Sequence, residues 1–207
     1  MSEPIRFHFD PLCPWCYLTS RWIRQLEHKD VVEVGWGVFS LELVNAGSEE
    51  SIKKGHSRAG KALRTVIKVR EAAGSKGVGD FYATLGARHH EDGEALDEDA
   101  TIIAALEEAG LDSDLLAQAM ADDATWAAVE SEHHALVSQT RSFGVPSIVL
   151  DGGDGPAIFG PVISHVPSED DAVELWKHVS WLTRYENFSE LKRDRTEGPD
   201  LAAWKDR

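Results

Sequence analysis

Cys13-Pro14-Trp15-Cys16 contains both cysteines of this 207-residue chain, so any thiol redox chemistry must run through this one pair. Cysteines three positions apart on a helical turn face each other, at a separation a disulfide tolerates. Before the pair, Ile5, Phe7 and Phe9 alternate with Arg6, His8 and Asp10; after it, Leu18, Trp22 and Leu26 recur every four residues. The first pattern predicts a half-buried strand and the second a helix. The strand therefore delivers the cysteines to a helix N-terminus, where unpaired N–H groups and the positive end of the dipole stabilise an anion. Pro14 suits the first helical position, because its fixed φ matches the helix and its missing N–H would have no partner there. Cys13 is expected to be the acidic, attacking thiol, in the range of about 3.5 to 7.5 that such motifs show against about 8.5 for free cysteine. Cys16 is then the resolving thiol. Trp15 adds no positive charge, so the thiolate depends on the dipole and backbone N–H groups, and the pair is expected to be less oxidising than one with histidine between the cysteines. Trp15 is also an exposed aromatic platform for a substrate.

Five other readings can be weighed against this one. His8, on the first strand, is placed either to tune Cys13 and shuttle its proton or to serve as an ordinary sheet residue. His133 shares a helical face with Trp126, Val129 and Leu136; it reads as a satisfied core histidine or as a residue reaching the rim of the active site. His89-His90 and His133-His134 are neighbours in sequence and point apart on a helix, so they do not make a converging metal set. A two-Cys two-His zinc module built on Cys13 and Cys16 lacks a second close pair with finger-like spacing, and no metal is expected. Gly55 to Ala62 nearly spells a phosphate-binding loop, but Ala62 stands where a Ser or Thr would hold magnesium and no apolar strand precedes it.

Lys plus Arg total 21 against 36 Asp plus Glu, a net charge of −15, which disfavours nucleic acid and anionic membranes as partners. The basic runs Lys53-Lys54 and Lys192-Arg193 read as solvated helix faces. The N-terminus has no basic region followed by an apolar run, and no stretch approaches the roughly 18 to 20 apolar residues of a membrane span. The expected compartment is the cytoplasm. In that reducing environment a structural disulfide would not persist, so the pair is expected to cycle catalytically. The chain is long enough for one domain carrying an insertion; a monomer and a homodimer both remain open.

Val32, Val34, Trp36 and Val38 alternate with Glu33, Gly35 and Gly37, so a second strand completes a βαβ start. From about residue 49 to 142 nearly everything reads as helix. The apolar faces are Leu63, Val66, Ile67 and Val69; Ile102, Ile103 and Leu106, with Asp97 as N-cap and Gly110 past the end; Leu115, Leu116 and Met120 after Asp112; and Trp126, Val129, Leu136 and Val137. A hairpin follows, with strands at 147–150 and 157–159 around Asp151-Gly152-Gly153-Asp154-Gly155. Ser168 then caps a last amphipathic helix carrying Leu175, Trp176, Val179 and Leu182. The polar tail from Asn187 has helical bias at 191–195. The order is βαβ, a helical block, then ββα, and the block is longer than a simple connection needs. The fold class is thus α/β, with residues 1–45 and 143–207 forming one domain and residues 46–142 an all-helical insertion.

A βαβ–ββα pair with C-x-x-C opening its first helix resembles the thioredoxin arrangement, and the helical insertion resembles the DsbA superfamily. Within it, Phe9-Asp-Pro-Leu-Cys-Pro-Trp-Cys16 and Thr19-Ser-Arg-Trp22 resemble the mycothiol-dependent nitroreductase family of actinobacteria. The similarity resumes at Ser40-Leu41, Asn45, His133-His134, Pro146, Phe159-Gly-Pro-Val-Ile-Ser164 and Glu190-Leu-Lys-Arg-Asp-Arg-Thr-Glu197. It implies a cytosolic thiol oxidoreductase whose Cys13–Cys16 disulfide is reduced by mycothiol, itself regenerated by its reductase. Disulfides of small molecules or proteins, and nitro-aromatic compounds, are the implied substrates. Cys13 would be the nucleophile and Cys16 the resolving thiol, with Pro14, Trp15, Asn45 and Pro146 near the substrate. Pro146 would be a cis-proline facing the cysteines, and the backbone at Val145 would pair with substrate. The chain departs from the family pattern at residues 51–59, which are basic and hold no aromatic residue opposite the cysteines; this bears on nitro-aromatic reduction and not on thiol exchange. A FrnE-like protein disulfide oxidoreductase or isomerase is the nearest alternative. The related isomerases and kappa-type glutathione transferases carry Ser at the first cysteine position, where this chain has Cys13.

Overall fold

The alternating residues at the N-terminus form strand β1 (Glu3–Phe9), followed by helix α1 (Pro14–His28) and strand β2 (Val32–Val38). In the computed structural model, residues 2–45, 56–141 and 144–202 are described. The expected insertion boundaries, at residue 46 and at residues 142–143, and the basic run Lys53-Lys54 lie outside them. β2 runs parallel to β1, pairing Phe7 with Trp36 and His8 with Gly37. The hairpin strands β3 (Ser147–Leu150) and β4 (Ala157–Phe159) complete a sheet of order β2-β1-β3-β4, with β3 antiparallel to β1. The connecting turn takes positive φ at Asp151, Gly152 and Gly153 (54°, 71° and 116°), which explains its glycines.

Between β2 and β3 lie α2 (Leu41–Val44), α3 (Gly60–His90), α4 (Asp99–Glu108), α5 (Leu115–Ala121) and α6 (Ala124–Thr140); α7 (Glu169–Arg184) follows the hairpin. α3 breaks at Gly74, whose φ of 66° and ψ of −163° suit only glycine. The break turns Ser75 toward β2: its hydroxyl donates to Val34 O at 2.8 Å and accepts from Trp36 N at 3.3 Å. Arg70 donates to Trp36 O at 3.1 Å, and Glu132 Oε2 accepts from Val38 N at 2.9 Å. Side chains from α3 and α6, joined by the Arg70–Glu132 ion pair, therefore occupy polar groups along the outer edge of β2. An edge covered in this way does not template further strands.

Strand alternation places Ile5, Phe7 and Phe9 on one face and Arg6 and His8 on the other. The first face packs under α1 and α3: Phe9 stacks on Tyr82 of α3 at 3.8 Å, Trp36 meets Phe7 edge-on at 5.5 Å, and Arg24 of α1 lies over Trp36 at 4.7 Å. α7 closes the same side. Trp22 is fully buried, tilts against Trp176 and donates through Nε1 to Ala172 O at 3.0 Å. The expected cap holds, with Ser168 Oγ accepting from Asp171 N at 3.2 Å.

Four local expectations differ from the structure. The N-cap of α4 is Glu98, not Asp97, whose carbonyl instead receives Lys61 Nζ at 3.0 Å. Asp112 acts one turn early, accepting from Asp114 N at 2.9 Å, so α5 begins only at Leu115. Met120 is exposed, because the buried face of α5 runs through Leu115, Leu116 and Ala119 and leaves Met120 beside it. Residues 191–195 are not helical; the chain beyond them is held at Glu197 by Ser164 and His165 instead of by a helix of its own.

Candidate active site

Cys13 is the N-cap of α1 and Pro14 opens the helix, as the sequence predicts. The Cys16 N–H donates to Cys13 Sγ at 3.4 Å, so one otherwise unpaired N–H of the first turn is directed at sulfur. On its other side Cys13 Sγ donates to Val145 O at 3.6 Å, and the Val145–Pro146 peptide is cis. Both cysteines are free thiols. They are not equivalent: Cys13 retains 6% exposure and Cys16 has none. Burial pushes the Cys16 thiol well above the ordinary cysteine range, and its contact with Cys13 adds to the effect. Of the pair, only Cys13 is open to a partner from solution, while Cys16 stays protonated beside it.

Asp10 was not singled out from sequence, where it reads as one more polar position of an alternating strand. It has no solvent exposure, and its carboxylate accepts from Leu12 N at 2.8 Å and Leu41 N at 2.7 Å. Its carbonyl accepts from Cys13 N at 3.0 Å, and its own amide faces the Cys16 sulfur. Asp10 thus ties the loop presenting Cys13 to the start of α2. Burial raises its pKa to about 7, against the lowering effect of the two N–H bonds. A carboxyl in an Asp-Pro dipeptide before C-x-x-C was the available signal.

A second group missed from sequence joins α1 to the end of α3. Tyr17, directly after Cys16, donates to Glu91 Oε1 at 2.5 Å and stacks on His90 at 5.2 Å. His90 Nε2 lies 2.9 Å from Pro11 O, and Arg21 lies 3.7 Å from Glu91. The helical block therefore touches the Pro11-Leu12 approach to Cys13 directly.

The remaining predicted residues spread around this centre. Trp15 is not the exposed platform expected: it is half-buried beside the cysteines, packed against the core with the Arg195 guanidinium over its ring. Asn45 caps α2, its amide donating to Leu41 O at 2.7 Å; it shares an element with the Asp10 tether and its recorded bond is within that element. His8 lies on the sheet face away from α1, with Nδ1 3.5 Å from Val38 O and its ring over Gly37. Burial lowers its pKa to about 4, and the charged groups that act on it are Arg6, Glu132 and Arg70, not the cysteines. His133 is a core residue: 3% exposed, against Phe39 at 4.4 Å, its Nδ1 accepting from Ser40 N at 3.4 Å. Burial, with a smaller effect of His134, lowers its pKa to about 4, consistent with a neutral ring that accepts at Nδ1. Among the described residues no three His, Cys, Asp or Glu side chains gather as metal ligands, and no helix is long and apolar enough to cross a membrane.

A four-stranded sheet with a helical block between its halves and a dithiol opening its first helix is a mixed α/β thioredoxin fold of the DsbA-like kind. The chain belongs to the Rv2466c-like family, described as mycothiol-dependent nitroreductase Rv2466c, whose family model matches residues 12–193. It is 30% identical over 194 residues to the uncharacterised protein Rv2286c of Mycobacterium tuberculosis, covering 93% of this chain and 82% of that one. Among solved structures it resembles the cytosolic disulfide reductase DsbM of Pseudomonas aeruginosa, with a TM-score of 0.62 and 15% identity over 86% of this chain and 99% of that one. It also resembles a 2-hydroxychromene-2-carboxylate isomerase, with a TM-score of 0.61 and 17% identity over 87% and 96% of the two chains. A thioredoxin-like oxidoreductase of Silicibacter pomeroyi gives a TM-score of 0.55 and 18% identity over 85% and 87%. These structural likenesses concern the fold.

Proposed function

We propose that this protein is a cytoplasmic thiol–disulfide oxidoreductase that mycothiol reduces and that in turn reduces disulfides, with nitro-aromatic compounds as a second substrate class. The observation that carries it is the asymmetry of the dithiol: Cys13 is reachable and receives the Cys16 N–H, while Cys16 is sealed and held protonated. In the reductive direction Cys13 sulfur attacks a substrate disulfide R–S–S–R′, forming a mixed disulfide and releasing R′SH. Cys16 then gives up its proton to the leaving thiolate and attacks Cys13, releasing RSH and closing the Cys13–Cys16 disulfide. The Val145 carbonyl, freed once Cys13 loses its S–H, is an acceptor for the amide N–H of a cysteine-based partner, and Trp15 offers an apolar face beside it. Two molecules of mycothiol supply the two electrons and two protons that reopen the disulfide, and leave as mycothiol disulfide for its reductase.

The test starts from oxidised protein, adds mycothiol with its reductase, and counts free thiols. Two thiols per chain should appear, faster than with glutathione at equal concentration. Glutathione matching or exceeding mycothiol would remove the mycothiol link, and efficient refolding of a scrambled protein would point to the FrnE-like isomerase reading. Reduction of a nitro-aromatic dye under the same conditions reads the second substrate class.

A further inference from the structure

Past α7 the chain runs back beside the first helix and is anchored there. Asp200 N donates to Ser164 O at 2.8 Å and Ser164 Oγ to Glu197 O at 3.4 Å. His165 bridges Glu197 at 2.8 Å and Asp200 at 3.3 Å. From α1, Arg21 donates to Ala202 O at 3.5 Å and Thr19 Oγ1 to Pro161 O at 3.0 Å, which ties both the tail and the segment holding it to the redox helix. These anchors set Arg195 with its guanidinium carbon 5.2 Å from the centre of the Trp15 ring, between the two cysteines in sequence.

Acidic residues outnumber basic ones 36 to 21, and several cations elsewhere are paired with carboxylates: Lys29 with Glu169, Lys61 with Asp99, Lys76 with Asp80, Arg184 with Glu3 and Asp151. No carboxylate among the described residues lies within ion-pair distance of the Arg195 guanidinium; its recorded contact is the Trp15 ring. A guanidinium resting on an aromatic face still has N–H edges that match a carboxylate two-to-two. The overall negative charge of the chain disfavours anions, and the Arg195 guanidinium sets a positive charge against it beside the dithiol.

The geometry points to Arg195 as a specificity residue of the dithiol site: with Trp15 it receives a carboxylate carried by the disulfide that Cys13 attacks. The inference rests on the oxidoreductase reading and names the substrate class of that same site.

The experiment oxidises fully reduced protein with three small disulfides of similar size: dithiodiglycolate (dianionic), bis(2-hydroxyethyl) disulfide (neutral) and cystamine (dicationic). Each reaction converts protein dithiol plus RSSR into protein disulfide plus two RSH, and stopped flow gives its second-order rate constant. The readout is the dianion-to-dication ratio of rate constants. Arg195→Ala should lower it about threefold and Arg195→Glu about tenfold at low ionic strength, with both effects shrinking as salt is raised. Arg195→Lys should fall between wild type and Arg195→Ala. Lys177→Glu, the same charge reversal on α7, is the control and should leave the ratio within about twofold of wild type. A ratio unmoved by Arg195→Glu, or lowered as much by Lys177→Glu, overturns the inference and leaves the oxidoreductase reading standing. Wild-type protein oxidised by none of the three disulfides removes the oxidoreductase reading itself.

Discussion

Replacing Asp10 by Asn separates what a buried carboxyl contributes by hydrogen bonding from what its charge costs. The Asp10 side chain has no exposure, accepts two main-chain N–H bonds at 2.8 and 2.7 Å, and has a pKa raised by burial from 3.8 to about 7. Because the folded value lies above the unfolded one, its contribution is fully present below about pH 4 and is lost as pH rises through about 7. Each pH unit inside that window removes about 1.4 kcal/mol, so roughly 4 kcal/mol is gone by about pH 8. Asn carries no charge and has no such slope. Its cost is constant: the amide nitrogen confronts one of the two N–H donors, worth about 1–3 kcal/mol. Asp10→Asn is therefore expected to be of similar or slightly lower stability than wild type near pH 5 and more stable near pH 8, the difference changing by about 3 kcal/mol. Urea unfolding of the reduced proteins at fixed pH values between these limits measures it. Parallel stability curves would refute the argument that Asp10 is a buried, charge-penalised group.

Histidine protonation works in the opposite sense. Burial holds His8 near 4, His90 near 3 and His133 near 4, so their contribution is present above the ordinary value of 6.5 and lost as pH falls toward those values. His90→Gln should make stability at about pH 5 less steep by about 1.4 kcal/mol per pH unit, read from the same urea series; an unchanged slope would contradict it. Trp22→Ala deletes a fully buried ring and its bond to Ala172 O, and should cost about 3–5 kcal/mol in urea unfolding, with a loss under about 1 kcal/mol arguing against the α1–α7 packing described.

Sequence periodicity carried the local elements because each rests on neighbours in the chain. Ile5, Phe7 and Phe9, the four-residue spacing of Leu18, Trp22 and Leu26, and the glycines at 152 and 153 specify a strand, a helix and a turn whatever lies beyond them. The C-x-x-C motif after a strand pattern and before a helical one was enough to place both cysteines at the opening of α1. Long-range contacts left no such trace. Asp10 shows in the sequence only as the carboxyl of an Asp-Pro dipeptide ahead of the C-x-x-C, because its partner Leu41 is 31 positions away, and nothing local marks Tyr17, whose partner Glu91 is 74 positions away. The break at Gly74 is equally silent, since its role is to turn Ser75 onto the edge of β2. His133 shows the converse: its helical face was legible, but the bond from Ser40 that makes it a core residue was not. The helical bias of residues 191–195 is not realised, and the chain just beyond them is anchored at Glu197 by Ser164 and His165.

The central claim, one reachable sulfur that attacks and one sealed sulfur that resolves, is tested most directly by trapping. Cys13→Ser and Cys16→Ser proteins are each mixed with mycothiol disulfide, quenched in acid and weighed intact, with peptide mapping of any adduct. A stable mycothiol adduct at Cys13 in the Cys16→Ser protein, with none on the Cys13→Ser protein over the same time, is the expected result. Equal adduct formation on both variants, or faster modification of Cys16, would contradict the account.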